Sequence, residues 1–237
     1  MLNFIGVGSA FNTELGNNSA FIKKQNCLIL VDCGGTVFHK LQELNMLDGL
    51  ENLYIIITHT HPDHVGSLGD VIFYSYYILN KRPIIIFPDE KLIVNYLECM
   101  GVSSEMYTLE SNNLVEVEDY DLGKINIEFY GTSHVATIPS YGFIMKYGEH
   151  AFYYSGDSNG LNKKIISKFE NGEVQEIYQD TCGLDYEGNN HMSLRKLEET
   201  IDGALRKKVY CMHLDKDITK EQIEEKGFNV AEIYMLY

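Results

Sequence analysis

The chain has little that would carry it into a membrane, out of a reducing compartment, or onto a nucleic acid. No uninterrupted apolar run approaches the roughly 20 residues that a membrane-spanning helix needs. The N-terminal MLNFIGVGSAF has neither a basic lead nor a long apolar segment, so a soluble protein is expected. The five cysteines, Cys27, Cys33, Cys99, Cys182 and Cys211, are odd in number, irregularly spaced and without a CxxC pair. That argues against a disulfide framework and for a reduced, cytoplasmic setting. The four prolines are scattered, and no Pro/Gly/Ser-rich linker divides the chain. Basic residues are scarce: 19 Lys and Arg stand against 34 Asp and Glu, a net charge of −15. Such a field repels polyanions and opposes the counterion release on which nucleic-acid affinity rests. Long RNA or DNA is therefore not an expected partner, although a local patch or a metal cluster can still attract a small anion.

What is present is ample material for a core, 45% of 237 residues being hydrophobic. LNFIGVG, SAFIKK and CLILVDCGG read as strands, followed by a helix over 36–47 with Val37, Leu41 and Leu44 on one face. LYIIIT is a buried strand ending at Thr58. The stretch 62–80 reads as one helix, with Pro62 in its first turn and Val65, Leu68, Ile72 and Tyr76 at helical spacing. PIIIF is a strand and 89–100 a helix. The second half again alternates strands with helices. Strands KINIEFYG, GFIMKYG and HAFYYSG precede a helix over 161–169, strand VQEIYQD, a helix over 193–205, strand KVYCMH, a short helix over 219–226 and a last strand VAEIYML. Strands backing onto helices in both halves imply two packed sheets covered on both outer faces. They form one unit over 1–237 with a soft division near 120–123.

The chemistry concentrates in ITHTHPDHVGS, directly after an apolar run. His59 and His61 leave the strand one residue apart, so both imidazoles can point to the same side. Pro62 then turns the chain into a helix that brings Asp63 and His64 to a neighbouring position. Imidazole and carboxylate without thiolate suit zinc, manganese or iron, and so dense a cluster can serve two ions. Two ions need more ligands than one loop supplies, and the ends of other apolar runs offer them: His134 in GTSHV, Asp157 in YYSGDS and His213 in YCMHL. His39, on an ordinary amphipathic helix, and His150, in a charged turn, read as plain surface histidines.

HTHPDH followed by a distant His, Asp and His resembles the metallo-β-lactamase superfamily over almost the whole chain. The resemblance implies an αββα four-layer sandwich with a dinuclear site. In it His59, His61 and His134 hold one metal, Asp63, His64 and His213 hold the other, and Asp157 bridges. Asp63 additionally orients the attacking water. The antibiotic-hydrolysing branch best known in the superfamily carries cysteine where this chain has Asp157, so that activity is disfavoured. NNHMSLRKL, lying between Asp157 and His213, is similar to the ribonuclease Z-like phosphodiesterase branch, in which a histidine opening a helix faces the scissile phosphate. His191 takes that place and would protonate the leaving alkoxide. QDTC makes Asp180 a candidate partner of His191, and Asp32 in LVDCGG a residue that steadies a ligand from behind. FIGVGSAFNTELGNNSAF is similar to the opening of that branch and suggests Asn18 and Ser19 at the rim of the pocket, although the proline and basic residue of that motif are missing here.

A ribonuclease Z-like tRNA 3′ endonuclease would be the first expectation from this branch. The dedicated enzymes, however, insert a long substrate-grasping arm between the third histidine and the bridging aspartate, and here only a couple of strands separate His134 from Asp157. The expectation is therefore an armless phosphodiesterase acting on a small phosphodiester, most readily a cyclic nucleotide. Compact viral and bacterial enzymes that destroy cyclic nucleotide signals share this architecture and pair as homodimers. The 17 tyrosines and 11 phenylalanines provide rings on which a base can stack, and FYSYYILNK could line a pocket or a dimer seam. A lactone or thioester hydrolase on the same metals, and a protein that sequesters a nucleotide without cleaving it, are the competing expectations.

Overall fold

The computed structural model describes residues 2–235. The first sheet has the order β1 (Asn3–Gly6), β2 (Ser19–Lys24), β3 (Cys27–Val31), β4 (Asn52–Ile56), β5 (Ile84–Ile86) and β6 (Thr108–Glu110). It opens as an antiparallel meander, then becomes parallel from β3 onward through helical crossovers. The second sheet runs β13 (Asn229–Val230), β12 (Val209–Met212), β11 (Glu176–Asp180), β10 (His150–Tyr154), β9 (Tyr141–Tyr147), β8 (Gly123–Gly131) and β7 (Leu114–Asp119). It repeats the plan, antiparallel from β7 to β10 and parallel from β10 to β13. The result is two similar halves.

Strand periodicity explains the layers, because successive side chains point to opposite faces. In β3, Leu28 and Leu30 pack outward against helices α1 (Val37–Glu43), α3 (Leu68–Tyr77) and α4 (Glu90–Cys99), whereas Ile29 and Val31 point inward. In β10, Phe152 and Tyr154 point inward while Tyr153 faces α5 (Lys163–Glu170), α6 (Leu194–Thr200) and α7 (Lys220–Glu225). Strands buried on both faces read as unbroken apolar runs. The inner layer, where Ile29, Val31 and Ile56 meet Phe143, Met145 and Tyr154, fuses the two sheets. This is the αββα sandwich of the metallo-β-lactamase type. Among the described residues no helix is long and apolar enough to cross a membrane.

Several element boundaries differ from those expected. The helix expected over 62–80 is two: α2 (Pro62–Val65) and α3. They part at Gly66 and Ser67, where the Ser67 hydroxyl donates to the Gly34 carbonyl at 2.6 Å and accepts from the Phe38 amide at 3.1 Å. The break ties the histidine-rich loop to the β3–α1 loop. The helix expected over 193–205 ends at Thr200, because Ile201 turns to extended backbone. β6 and β7 were not expected at all. β6 is three residues long, and β7 is an acid-rich edge strand whose alternate side chains are solvated. The chain crosses between sheets at 111–113, and 120–123 is the turn between β7 and β8. Of the last expected strand, VAEIYML, only Val230 lies in the strand observed there, β13, which begins one residue earlier at Asn229. Ile233 instead bridges back to Phe4 of the first sheet, and Leu236 lies outside the described residues.

Candidate metal centre

Asp32, His59, His134, Asp157 and His213 follow the C-terminal ends of β3, β4, β8, β10 and β12, and Asp180 is the last residue of β11. Open α/β sheets present ligand-binding groups at that edge. His61, Asp63 and His64 are carried by the turn into α2, with Pro62 at its first position. Two glycines allow the approach. A Cβ on Gly34 would collide with the Asp63 carbonyl, and Gly156, at φ +57, would collide with Tyr141 and Thr58 just before Asp157.

The structure brings the seven residues His59, His61, Asp63, His64, His134, Asp157 and His213 together. Donor atoms of His59, His61, His134 and Asp157 lie within 4.8 Å of one another, as do those of Asp63, His64, His213 and Asp157. Asp157 divides its carboxylate between the groups. Oδ2 lies 3.7 Å from His59 Nε2 and 3.6 Å from His134 Nε2, while Oδ1 lies 3.2 Å from His64 Nε2 and 3.5 Å from His213 Nε2. Asp63 Oδ2 is 3.3 Å from both His64 Nε2 and His213 Nε2.

Residues behind the cluster fix which nitrogen faces inward. Asp32 accepts from the Thr58 amide (2.8 Å) and hydroxyl (2.9 Å) and pairs with His64 Nδ1 at 2.8 Å. Thr58 Oγ1, its proton given to Asp32, is 3.1 Å from His59 Nδ1. His59 and His64 therefore turn Nε2 toward the cluster. His134 Nδ1 donates to the Asn190 carbonyl at 3.2 Å. Such outer partners set tautomer and orientation in metal sites generally. Asp32 and His213 both hold left-handed backbone, φ 60 and 56, a strain that residues of their type keep only when their surroundings impose it.

Asn18 and Ser19 are not at the rim, where the sequence had suggested them. Both are buried beneath the cluster: Asn18 accepts from the His213 amide (3.2 Å) and donates to the Tyr154 hydroxyl (2.8 Å), and the Ser19 hydroxyl donates to the Asp32 carbonyl (2.9 Å). Thr58 and Tyr154 were missed by sequence reasoning. Thr58 adjoins the motif and was within reach, whereas nothing local marks Tyr154. His39 and His150 lie elsewhere, paired with Glu43 and Glu176.

The sequence resemblance implies two divalent cations here, and the donor set fits them on three counts. His59 Nε2, His61 Nδ1 and His134 Nε2 converge, at 2.9 Å between the first two and 3.3 Å between the last two, a meeting of lone pairs that a cation resolves. His64 Nε2 and Asp157 Oδ1 are buried without a hydrogen-bond partner, and orphaned buried polar atoms are rare without a reason. The charge balance agrees. Burial and neighbouring imidazoles hold His59 and His61 below the usual histidine range, so their lone pairs are free. Burial opposes the charged form of His213 as well, yet Asp157, Asp180 and Asp63 push its pKa up to about 10, a sign of how strongly the carboxylates call for positive charge.

His191 stands beside this cluster, opening α6 behind the N-cap Ser193. Its Nδ1 is 2.7 Å from Asp180 Oδ2, and its ring centroid is 5.1 Å from those of His134 and His213. Asp180 Oδ2 also accepts from the Ser158 amide at 2.9 Å, and its Oδ1 lies 3.3 Å from His213 Nδ1. Burial lowers the proton affinity of His191, but Asp180 and Asp157 more than offset it, and the net shift is upward.

Fold and site together define a protein of the metallo-β-lactamase class. The metallo-β-lactamase fold protein YhfI from Bacillus subtilis superposes with a TM-score of 0.75 at 17% identity, over 98% of this chain and 95% of that one. A diphosphatase of the PhnP family gives 0.74 at 14% identity over 99% and 95%, and the short form of human tRNase Z 0.67 at 17% over 99% and 97%. Within that class the chain belongs to the family described as Anti-Pycsar protein Apyc1, whose family model matches residues 1–233. Relatives of that name include one from Paenibacillus harenae, 28% identical over 93% of this chain and 92% of its own length. Another, from Bacillus phage 010DV004, is 30% identical over 90% and 88%.

Proposed function

We propose that the protein is a metal-dependent phosphodiesterase that hydrolyses a small cyclic nucleotide. The observation that carries this reading is His191, held by Asp180 at 2.7 Å against the paired histidine and aspartate groups. A thioester expels a thiolate that needs no proton from the protein, whereas a phosphodiester, like a lactone, expels an alkoxide that must gain one. His59, His61 and His134 on one side and Asp63, His64 and His213 on the other, with Asp157 shared between the groups, would hold two divalent cations, zinc in our reading, which would supply Lewis acidity toward phosphoryl oxygens and toward water. Asp63 accepts a hydrogen bond from the attacking water and so directs its lone pair. His191 keeps its Nδ1 proton on Asp180, leaving Nε2 to carry the proton that goes to the leaving oxygen. Asp157 and the Asp32–Thr58 pair hold the histidines in place throughout.

Family membership supports the reading, since bacterial and phage relatives are the compact proteins the sequence pointed toward. A tRNA substrate is disfavoured because the stretch between His134 and Asp157 is occupied by the β9–β10 hairpin. In the same reading the protein acts in the cytoplasm as a homodimer. Exposed Tyr77 and Ile78 at the end of α3 offer an apolar seam, which sedimentation would test. The decisive assay incubates metal-loaded protein with 2′,3′- and 3′,5′-cyclic nucleotides and bis(p-nitrophenyl) phosphate, with products separated by chromatography. Nucleoside monophosphates are the expected products. Turnover of lactones or thioesters alone, surviving His191→Ala, would favour the carbonyl hydrolase. Stoichiometric nucleotide binding with no product would favour a sequestering protein.

A further inference from the structure

The opening segment 7–18 of the first half is tied to one stretch of the second, the residues that follow β12. The Leu214 amide donates to the Val7 carbonyl at 2.8 Å, and the Ser9 amide to the Leu214 carbonyl at 3.0 Å. Asn12 Nδ2 donates to the Leu214 carbonyl at 3.0 Å and to the Asp215 carbonyl at 3.1 Å. The His213 amide donates to Asn18 Oδ1 at 3.2 Å. The segment is folded on itself as well. The Gly8 amide donates to the Gly16 carbonyl at 2.9 Å and the Asn18 amide to the Gly8 carbonyl at 3.0 Å, an approach so close that a Cβ on Gly8 would collide with the Asn12 carbonyl. Among the described residues, no hydrogen bond joins the segment to 131–135, the stretch that carries His134.

Asn18 is the residue of this segment that reaches a candidate ligand. Its Nδ2 donates to the Tyr154 hydroxyl at 2.8 Å and lies 3.7 Å from Met212 Sδ, which turns Oδ1 to the His213 amide. Asn18, Tyr154 and His213 are all buried, so the chain of bonds is shielded from solvent. His213 holds left-handed backbone at φ 56, a conformation that persists where the surroundings impose it. The bond to Asn18 fixes its amide in that conformation. His213 Nε2 then stands 3.3 Å from Asp63 Oδ2 and 3.5 Å from Asp157 Oδ1. Asp63 and His64 come from α2 in the first half and His213 from the second. That donor group therefore closes only if the end of β12 is held against the first half.

Resting on the paired-cation reading, we infer that Asn18 is a positioning residue for His213. Through it the opening segment closes one cation pocket, that of Asp63, His64 and His213, and leaves the pocket of His59, His61 and His134 alone.

The test draws zinc from loaded wild-type, Asn18→Ala, Tyr154→Phe and Ile93→Val proteins with a graded chelator, counts the ions retained, and follows hydrogen exchange at the His213 amide by nuclear magnetic resonance. Outer partners of metal ligands are worth about 10–100-fold in affinity. Asn18→Ala should therefore bind one of its two ions more weakly by that factor and the other as the wild type does, with exchange at His213 accelerated. Tyr154→Phe keeps the ring and removes only the hydroxyl that orients Asn18, so it should show the same pattern to a smaller degree. Ile93→Val, a buried change on α4 in the outer layer of the first half, lowers stability without touching the segment and should keep both ions as the wild type does. Equal weakening of both ions in Asn18→Ala, no weakening of either, unchanged exchange at His213, or the same loss in Ile93→Val would each overturn the assignment. If Asn18→Ala does not fold, Tyr154→Phe decides by the same criteria. Wild-type protein that holds no ion would defeat the paired-cation reading instead, and the exchange comparison would still decide whether Asn18 fixes His213.

Discussion

Asp32 shows how a buried carboxylate acts at a distance. It is fully buried, in left-handed backbone, and touches no substrate-facing surface. Through Thr58 it sets His59, and directly it sets His64. Substituting Asp32→Asn keeps the shape but lets the amide present a donor to His64 Nδ1. Outer partners of this kind are worth roughly 10–100-fold in metal affinity, and a competition titration with a chelator should show a loss of that order with the fold retained by circular dichroism. His191→Ala should behave oppositely. Metal content should be unchanged, while kcat on a cyclic nucleotide should fall by about 10²–10⁴, the usual worth of a positioned acid. A small fall would mean that the leaving group needs no proton from the protein.

Legibility at this scale followed the chain. His59, His61, Asp63 and His64 were readable because the motif is contiguous. His134, Asp157 and His213 were single residues at strand ends, which their positions offered as further ligands and to which the superfamily's order of motifs gave separate roles. Asn18 was found but misplaced, since nothing in a loop sequence says whether an asparagine faces solvent or the underside of a histidine.

At the level of elements, the site depends on how closely the β3–α1 loop approaches α2. Gly34 has no room for a Cβ against the Asp63 carbonyl, so Gly34→Ala must push α2 away. Overpacking of a tight contact costs about 1–3 kcal/mol. A lowered urea midpoint and weakened metal binding should appear together, because the same displacement moves Asp63 and His64. The turn between β7 and β8, expected from sequence to be a soft division, is instead a tie between sheets. Asp119 accepts from Asn52 (2.8 Å) and Tyr54 (3.1 Å) of β4 and from the amides of Asp121 (2.8 Å) and Leu122 (3.1 Å). Burial alone would raise its pKa, but these four donors hold it below the usual carboxylate range. A carboxylate depressed in the folded state stabilises the fold fully above its unfolded value, near 3.9, and loses that contribution as pH falls through the folded value. The stability difference between wild type and Asp119→Asn, read from urea midpoints, should therefore be constant near neutrality and shrink below about pH 4. A difference that persisted into stronger acid would mean the charge plays no part. The apolar strands and crossover helices were legible because period and length agree, whereas β7 was missed although LVEVED alternates, because its acidic residues are poor strand formers.

Over the whole molecule, the inner apolar layer and the return of the chain from Ile233 and Tyr234 to Phe4 join first residues to last. We propose that the two halves, and hence residues 1–237, unfold as one unit. Near- and far-ultraviolet circular dichroism should give coincident transitions in urea, and separate transitions would mean two domains. The centre lies where both sheets end, so neither half can complete it alone: the segment from β4 into α2 supplies four of the seven donor residues, and the ends of β8, β10 and β12 supply three. That division is why a single sequence window shows the motif but not the site.

The central claim is a paired cation centre bridged by Asp157. Its most direct measurement is elemental analysis of the purified protein by plasma mass spectrometry, wild type beside Asp157→Ala. The account predicts two divalent transition-metal ions per chain in the wild type and fewer in the variant, whereas wild-type protein that holds no stoichiometric metal after loading and desalting would contradict it.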